Sequence, residues 1–480
     1  MHLINIKTNS SYYLYDTIAL QFYGSDRITH SIYDFLNHND IDIDQVLSAN
    51  IISNLAKTLN TDAGTITQIL KRISFLEKIS SRTLSIGRNF SIQQMDVLKS
   101  IANVNHIIIE VTERCNFNCY YCCYGKLYNS HKKRNKDVDC ENAIEFIKQV
   151  IHLKQSYLND SVFKGVAISF YGGEPLINFM AIRKIVEFLK NNNIHAIFNM
   201  TTNGYLLKRY ISFLVQNNFR IAISLDGDEK ENCYRIHKTD KEAYNTIIRN
   251  ILFIREEYPA FWKSNVSFIS LLHNKNNLMS LYIFFYKWDK IPSISKLSTS
   301  DLNESKKQEF WHLYNDKTTL NKNELLQLKV ANPKVFELYI KSFLYDSKYS
   351  YRIHTNEEIF NTEGIINSNT GSCYLFEHRI FFSVEGYIYP CEKSNRDFIF
   401  GKFNGSIEID CEKITEYYNN INKIVNNSCK GCALIGNCTL CYFSNCVVTD
   451  ANCPKRSSHN GVSIKIKEFL ELEEFLNNKL

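Results

Sequence analysis

Two hydrophobic rhythms alternate through the middle of this chain. Short apolar runs at His106-Ile107-Ile108-Ile109-Glu110-Val111, Val166 to Phe170, Ile194 to Met200, Arg220 to Leu225 and Val266 to Leu272 have the length and composition of buried strands. Between them apolar residues recur at helical spacing, as in Ala143, Ile144, Ile147, Val150 and Ile151, and again in Ile182, Ile185, Val186 and Leu189. Repeated strand-helix units predict an α/β fold around a parallel sheet, as a full or partial barrel. Functional residues are then expected just after the strands.

The flanks read differently. Strand-like runs between Tyr12 and Tyr23, broken around Asp16-Thr17, precede helical spacing at Ile66, Ile69, Leu70, Ile73 and Leu76 behind an Asp62 cap. Two strands and about three helices predict a small winged-helix-like domain over residues 1–100. The alternating core spans 105–290, and 291–365 reads as a bridge with helical character from Val335 to Phe343. Residues 366–480 are irregular and rich in cysteine, closed by an amphipathic helix from Ile464 to Phe475. Clusters can substitute there for a large core.

A chain of 480 residues is expected to divide into two or three domains. With 44% hydrophobic and 22% charged residues, it is a globular rather than a disordered composition. The net charge of +6, from 56 basic and 50 acidic residues, is too dilute for a nucleic-acid footprint. The first residues lack the basic and apolar regions of a signal peptide, and no apolar run approaches the roughly 20 residues that span a bilayer. A cytoplasmic protein without membrane or nucleic-acid partners is expected. Fifteen cysteines in a reducing compartment point to metal or cluster ligation rather than disulfides.

Directly after the first barrel-type strand stands Cys115-Asn116-Phe117-Asn118-Cys119-Tyr120-Tyr121-Cys122. Three thiolates on one loop can hold three irons of a four-iron cluster, leaving the fourth iron open to a small molecule. Taken alone, the spacing could equally be a chance thiol grouping or a zinc site. Three further motifs each follow a strand: Tyr171-Gly172-Gly173-Glu174-Pro175, Thr202-Asn203-Gly204 and Ser224-Leu225-Asp226-Gly227. Together with the cysteine loop they resemble the radical S-adenosylmethionine (SAM) superfamily. The resemblance implies a partial (β/α)6 barrel whose [4Fe-4S] cluster, held by Cys115, Cys119 and Cys122, cleaves SAM to a 5′-deoxyadenosyl radical. It further implies that Gly172 and Gly173 let the backbone approach the methionyl ammonium and that Glu174 holds it. Ser224 and Arg235 become candidates for the SAM carboxylate, Asn203 and Asp226 for the ribose or the mouth, and Tyr121 for the adenine. The blander readings are a turn glycine at Gly173, a turn residue at Asn203, a strand-end hydroxyl at Ser224, a helix cap at Asp226, a surface charge at Arg235 and a core side chain at Tyr121.

Cys373, Gly386 and Cys391 form a Cys-x12-Gly-x4-Cys unit, followed by Cys429, Cys432, Cys438 and Cys441 and then by Cys446 and Cys453. This set resembles the SPASM extension of radical SAM peptide and protein maturases, which implies two auxiliary [4Fe-4S] clusters and three clusters in all. Family order assigns Cys373, Cys391 and Cys441 to one and Cys429, Cys432, Cys438 and Cys453 to the other. Cys438 and Cys441 are separated by two residues where the pattern has three, so Cys446 could replace or supplement Cys441. A zinc ribbon is the alternative for these cysteines. Cys123, Cys140, Cys233 and Cys411 fit neither pattern. Glu392 adjoins Cys391 where sulfatase maturases of this type carry a carboxylate base, which implies a catalytic role; the alternative is a solvated Glu paired with Lys393 or another cation.

The resemblance implies an oxidoreductase acting on a ribosomally made precursor peptide, with a reducing donor such as flavodoxin or ferredoxin, that installs a thioether or carbon-linked crosslink. The N-terminal block would bind the leader of that peptide as an added strand, or else serve packing alone. An anaerobic sulfatase-maturing enzyme is the nearest alternative. A non-enzymatic iron-sulfur or zinc-binding regulator is a more distant one.

Overall fold

The computed structural model describes residues 3–18, 21–39, 41, 45–87, 91–129, 135–157, 165–299, 301–317, 320–340, 376, 379–428, 432–434, 441, 443 and 458–477. Its centre is a sheet in which β4 (His106–Thr112), β5 (Val166–Gly172), β6 (Ala196–Thr202), β7 (Arg220–Ser224), β8 (Val266–Leu272) and β9 (Ser293–Lys296) lie side by side in chain order. All five pairings among them are parallel. Helices 140–157, 179–191, 207–216, 243–257 and 278–286 follow the first five strands in turn. This is the α/β architecture with a central parallel sheet that the strand-helix alternation predicts.

Strand periodicity decides which side chains meet those helices. Ile107, Ile109 and Val111 of β4, Ile168 and Phe170 of β5, and Ile221 and Ile223 of β7 point outward into one core with Ile147, Ile182, Ile185, Ile211, Ile247 and Ile251 of the helices. Each such fully buried aliphatic side chain contributes about 1.5–3 kcal/mol. The opposite face carries His106, Ile108, Ser169, Asn199, Ala222 and Ser267, which surround a hollow of ≈ 290 Å³. A closed barrel fills this space with branched apolar residues. Small and polar side chains leave it open here.

The sixth strand lies just past residue 290, in a stretch that gave no strand signal. β9, with the sequence Ser-Ile-Ser-Lys, is a short polar edge strand, so neither length nor hydrophobicity marks it. The cysteine-rich region is also more regular than its sequence suggests. β10 (Ile380–Phe382) adds in parallel to the free side of β4, and β11 (Tyr387–Tyr389), β12 (Gly401–Phe403) and β13 (Ile407–Ile409) continue the sheet antiparallel.

The N-terminal block has three antiparallel strands, β1 (Leu3–Lys7), β2 (Tyr12–Asp16) and β3 (Gln21–Ser25), and helices 27–38, 49–59, 63–87 and 94–103. Asp62 caps the third helix, accepting from Thr65 N at 2.8 Å. Helix 459–477 closes over this sheet, with Val462, Ile466, Phe469 and Leu470 packed against Ile4, Ile6 and Tyr15. First and last segments of the described chain therefore share one apolar core.

Candidate functional site

β4 ends at Thr112, and the loop after it carries Cys115, Cys119 and Cys122. Backbone hydrogen bonds hold that loop on two sides. Glu113 N donates to Lys136 O at 2.8 Å, while Asn118 N donates to Ile236 O at 2.7 Å and Tyr120 N to Tyr234 O at 2.9 Å. Arg114 Nε anchors the entry on Asp137 Oδ1 at 2.9 Å. The three thiols are half-buried. Burial pushes Cys119 up to about 12 and Cys115 to about 11, with the charges of Cys122 and Cys115 adding to the first and those of Glu174 and Cys122 to the second.

The paired glycines answer to that loop. A Cβ on Gly172, whose φ is +144°, would sit 1.9 Å from Thr112 O, and one on Gly173 would sit 2.3 Å from Arg114 O. Only glycine lets β5 end this close to the start of the cysteine loop. Gly173 N and Glu174 N then donate to Thr112 O at 3.0 Å and Arg114 O at 2.9 Å. Glu174 is buried and ties two strand ends together, accepting from Leu176 N at 3.2 Å, Thr202 Oγ1 at 2.8 Å and Asn203 N at 2.7 Å. Burial drives its carboxyl up to about 7 in spite of those three donors. Asn203 Nδ2 donates to Asn116 Oδ1 at 2.8 Å, which joins the β6 loop to the cysteine loop.

Asp226 is fully buried and is not a helix cap. It accepts from Arg235 Nε at 2.9 Å, from a terminal nitrogen of Arg235 at 3.0 Å, from Leu271 N at 2.9 Å and from the Tyr121 hydroxyl. Burial alone would raise its carboxyl, yet Arg235 and these donors hold it at about 2. Arg235 lies over the Tyr121 ring, 5.5 Å from its centroid, and His273 stacks on the same ring at 5.8 Å. Tyr121, Asp226 and Arg235 thus form one buried group beneath the cysteine loop. Ser224 stands half-buried at the end of β7. His273 was not singled out in the sequence, although it follows the end of β8 as the other site residues follow their own strands.

Three thiols on one short loop are the donor set for three irons of a four-iron cluster. Among the described residues no group of three His, Cys, Asp or Glu side chains converges as one metal ion requires. Beside Cys115, Asn116 Nδ2 is buried without a hydrogen-bond partner, an unused donor facing the same loop. The loop's residues therefore fit the group.

Of the second cysteine set, Cys391, Cys432 and Cys441 are described, while Cys373, Cys429, Cys438, Cys446 and Cys453 lie outside the described residues. Burial, then the charges of Glu392 and Cys441, push Cys391 up to about 11. Glu392 is largely buried and pairs not with Lys393 but with another cation, as the alternative reading allowed. Its Oε1 accepts from a terminal nitrogen of Arg379 at 2.9 Å, and it lines the hollow inside the barrel. Arg379 carried no signal in the sequence, since only β10 beside β4 brings it there.

Residues 109–279 match the model of the Radical SAM superfamily. The radical SAM cyclopropyl synthase TigE of Paramaledivibacter caminithermalis is 24% identical over 438 residues, which covers 87% of this chain and 86% of TigE. A cysteine-type anaerobic sulfatase-maturating enzyme of Clostridium novyi is 24% identical over 307 residues, 60% of this chain and 74% of that protein. Native anSMEcpe, solved with bound AdoMet and Kp18Cys peptide, superposes with a TM-score of 0.50 at 16% identity, covering 78% of this chain and 98% of that one. The superposition shows a shared fold. No described helix is long and apolar enough to cross a membrane.

Proposed function

We propose that this chain, whose residues 109–279 match the Radical SAM superfamily, is a peptide maturase that removes a hydrogen atom from a ribosomally made precursor and installs a thioether or carbon-linked crosslink. The observation that carries the reading is a cysteine loop directly after β4 together with a second cysteine, Cys391, whose neighbour Glu392 lines the hollow of the same sheet. The Cys115–Cys122 loop stands above the strand ends, and Glu392, next to Cys391, lines the interior. When bound, a SAM-ligating [4Fe-4S] cluster supplies the electron that cleaves SAM to a 5′-deoxyadenosyl radical.

The chain's own residues do the rest. Cys115, Cys119 and Cys122 hold that cluster, with Asn116 Nδ2 free to donate toward it. Glu174 receives the methionyl ammonium, since its Oε2, which accepts one hydrogen bond, can accept another. Tyr121, fixed by Asp226 and Arg235, offers a rigid aromatic edge to the adenine, and Asn203 and Ser224 offer polar groups at the mouth. Cys373, Cys391, Cys429, Cys432, Cys438, Cys441, Cys446 and Cys453 supply ligands for two auxiliary clusters, and a donor such as flavodoxin or ferredoxin supplies electrons. Glu392 takes the proton lost as the new bond forms. The leader adds as a strand along β3, whose outer edge pairs with no other described strand.

The TigE alignment supports a shared domain order, because it leaves only about 62 residues of this chain unmatched, fewer than the N-terminal block contains. The likeness to a sulfatase-maturating enzyme supports a second reading, oxidation of one Cys or Ser of a protein. Replacing Cys115, Cys119 and Cys122 together by Ala tests the shared premise. Iron should fall from on the order of 12 to about 8 per chain, and 5′-deoxyadenosine should no longer form. Continued cleavage of SAM by that variant would reject the assignment.

A further inference from the structure

Ile108, Ser169, Asn199 and Arg220 stand side by side across β4 to β7, so the hollow lies in the lower half of the sheet. Ser169 precedes Gly173 by four residues, which is on the order of 13 Å below the mouth. A volume of ≈ 290 Å³ exceeds what one or two waters fill, since each takes about 30 Å³ of liquid. It is room for one residue of a peptide.

Two atoms in its wall are unused. Arg379 and Glu392 are joined by one hydrogen bond, leaving Arg379 Nε as a buried donor and Glu392 Oε2 as a buried acceptor, neither with a partner. Leaving such groups unpaired costs about 1–3 kcal/mol each, which a suitable ligand recovers. A carboxylate in this place would face the charge of Glu392, and an ammonium would face that of Arg379. An amide carries a donor and an acceptor without net charge. We propose that the hollow binds a peptide amide of the substrate, whose carbonyl accepts from Arg379 Nε while its N–H donates to Glu392 Oε2. Arg220, which lines the same wall and whose side chain makes no hydrogen bond, provides a further donor for carbonyl oxygen.

This inference rests on the peptide-modifying reading for its substrate, but its test does not depend on turnover. Saturation-transfer NMR on the full-length, cluster-loaded protein would use N-methylacetamide, acetate and methylammonium as probes. N-methylacetamide should bind best, and the double variant Arg379→Met/Glu392→Leu should weaken it about tenfold. Removing both halves of the ion pair leaves no uncompensated buried charge. Should that variant not fold, Arg379→Lys keeps the charge but lacks the Nε donor, and a similar loss is expected. Acetate or methylammonium binding more tightly, or N-methylacetamide unaffected by the variants, would overturn the proposal. Deoxyadenosine assayed in the same samples separates the two ideas: its absence from the wild type refutes the proposed function and leaves the amide result standing.

Discussion

Arg235 meets Asp226 through two parallel hydrogen bonds, Nε to Oδ2 at 2.9 Å and a terminal nitrogen to Oδ1 at 3.0 Å, with Asp226 closed to solvent. The carboxylate also receives the Tyr121 hydroxyl and the Leu271 amide, so the group joins the cysteine loop to the ends of β7 and β8.

Breaking that pair from one side leaves a buried guanidinium uncompensated. Asp226→Ala should lower stability by about 3–5 kcal/mol, whereas Asp226→Leu combined with Arg235→Met should lose much less. Chemical unfolding of the three proteins checks this, and equal losses would mean the pair is not acting as a unit. Because the folded carboxyl is held at about 2, below its ordinary value of 3.8, the stability it adds is present above that value. It disappears as pH falls through about 2.

Glu174 has the opposite sign. Burial raises its carboxyl from 4.5 to about 7, so the protein is favoured with Glu174 protonated. That advantage is complete below pH 4.5 and is lost as pH rises through about 7, a change on the order of 3 kcal/mol. Glu174→Gln should flatten the slope of stability between pH 5 and 8, measured by thermal unfolding at matched ionic strength. An unchanged slope would place the titration elsewhere. If Glu174 receives the SAM ammonium, SAM affinity should also rise across the same interval, because the ionised carboxylate is the form that binds.

A methyl group at Gly173 has no room, since it would meet Arg114 O at 2.3 Å. Gly173→Ala should therefore displace the Cys115 end of the loop rather than strain β5 alone. Iron content should drop by about a third and SAM cleavage by more than about tenfold, with the remaining iron unaffected. Full iron with normal cleavage would show that the loop tolerates the shift.

The N-terminal sheet and helix 459–477 stabilise each other through Ile4, Ile6, Ile466 and Leu470. Ile466→Ala should cost about 2–5 kcal/mol locally and open residues 3–25 to proteolysis before the barrel is cut. Deleting residues 1–100 should likewise reduce solubility by exposing the partner helix, so leader binding is better tested by substitutions along β3. Unaltered proteolysis in Ile466→Ala would show that the two segments are held by other contacts.

Much of the barrel was legible in the sequence because its outer face is a local pattern. Ile107, Ile109 and Val111 must meet helices, and helices 140–157 and 179–191 carry apolar residues at their own period. β6 was read two residues early, at Ile194 rather than Ala196, because Ile194 is as apolar as the strand that follows it. β9 and β10 were missed. A polar four-residue strand and a three-residue strand owe their pairing to neighbours already in place.

The sequence by itself determined the chemistry that can occur. The cysteines at 115, 119 and 122, the glycines at 172 and 173, and Glu174, Asn203 and Asp226 all follow strands, so one barrel mouth was implied before any contact was known. Tertiary structure alone decided what each residue touches. Gly172 and Gly173 yield space to the backbone of Thr112 and Arg114, Arg235 turns inward to Asp226, and Glu392 meets Arg379 inside the hollow. Local periodicity reports which face is buried. Ion pairing and backbone approach depend on residues tens to hundreds of positions apart, which only the assembled sheet brings within a few ångströms.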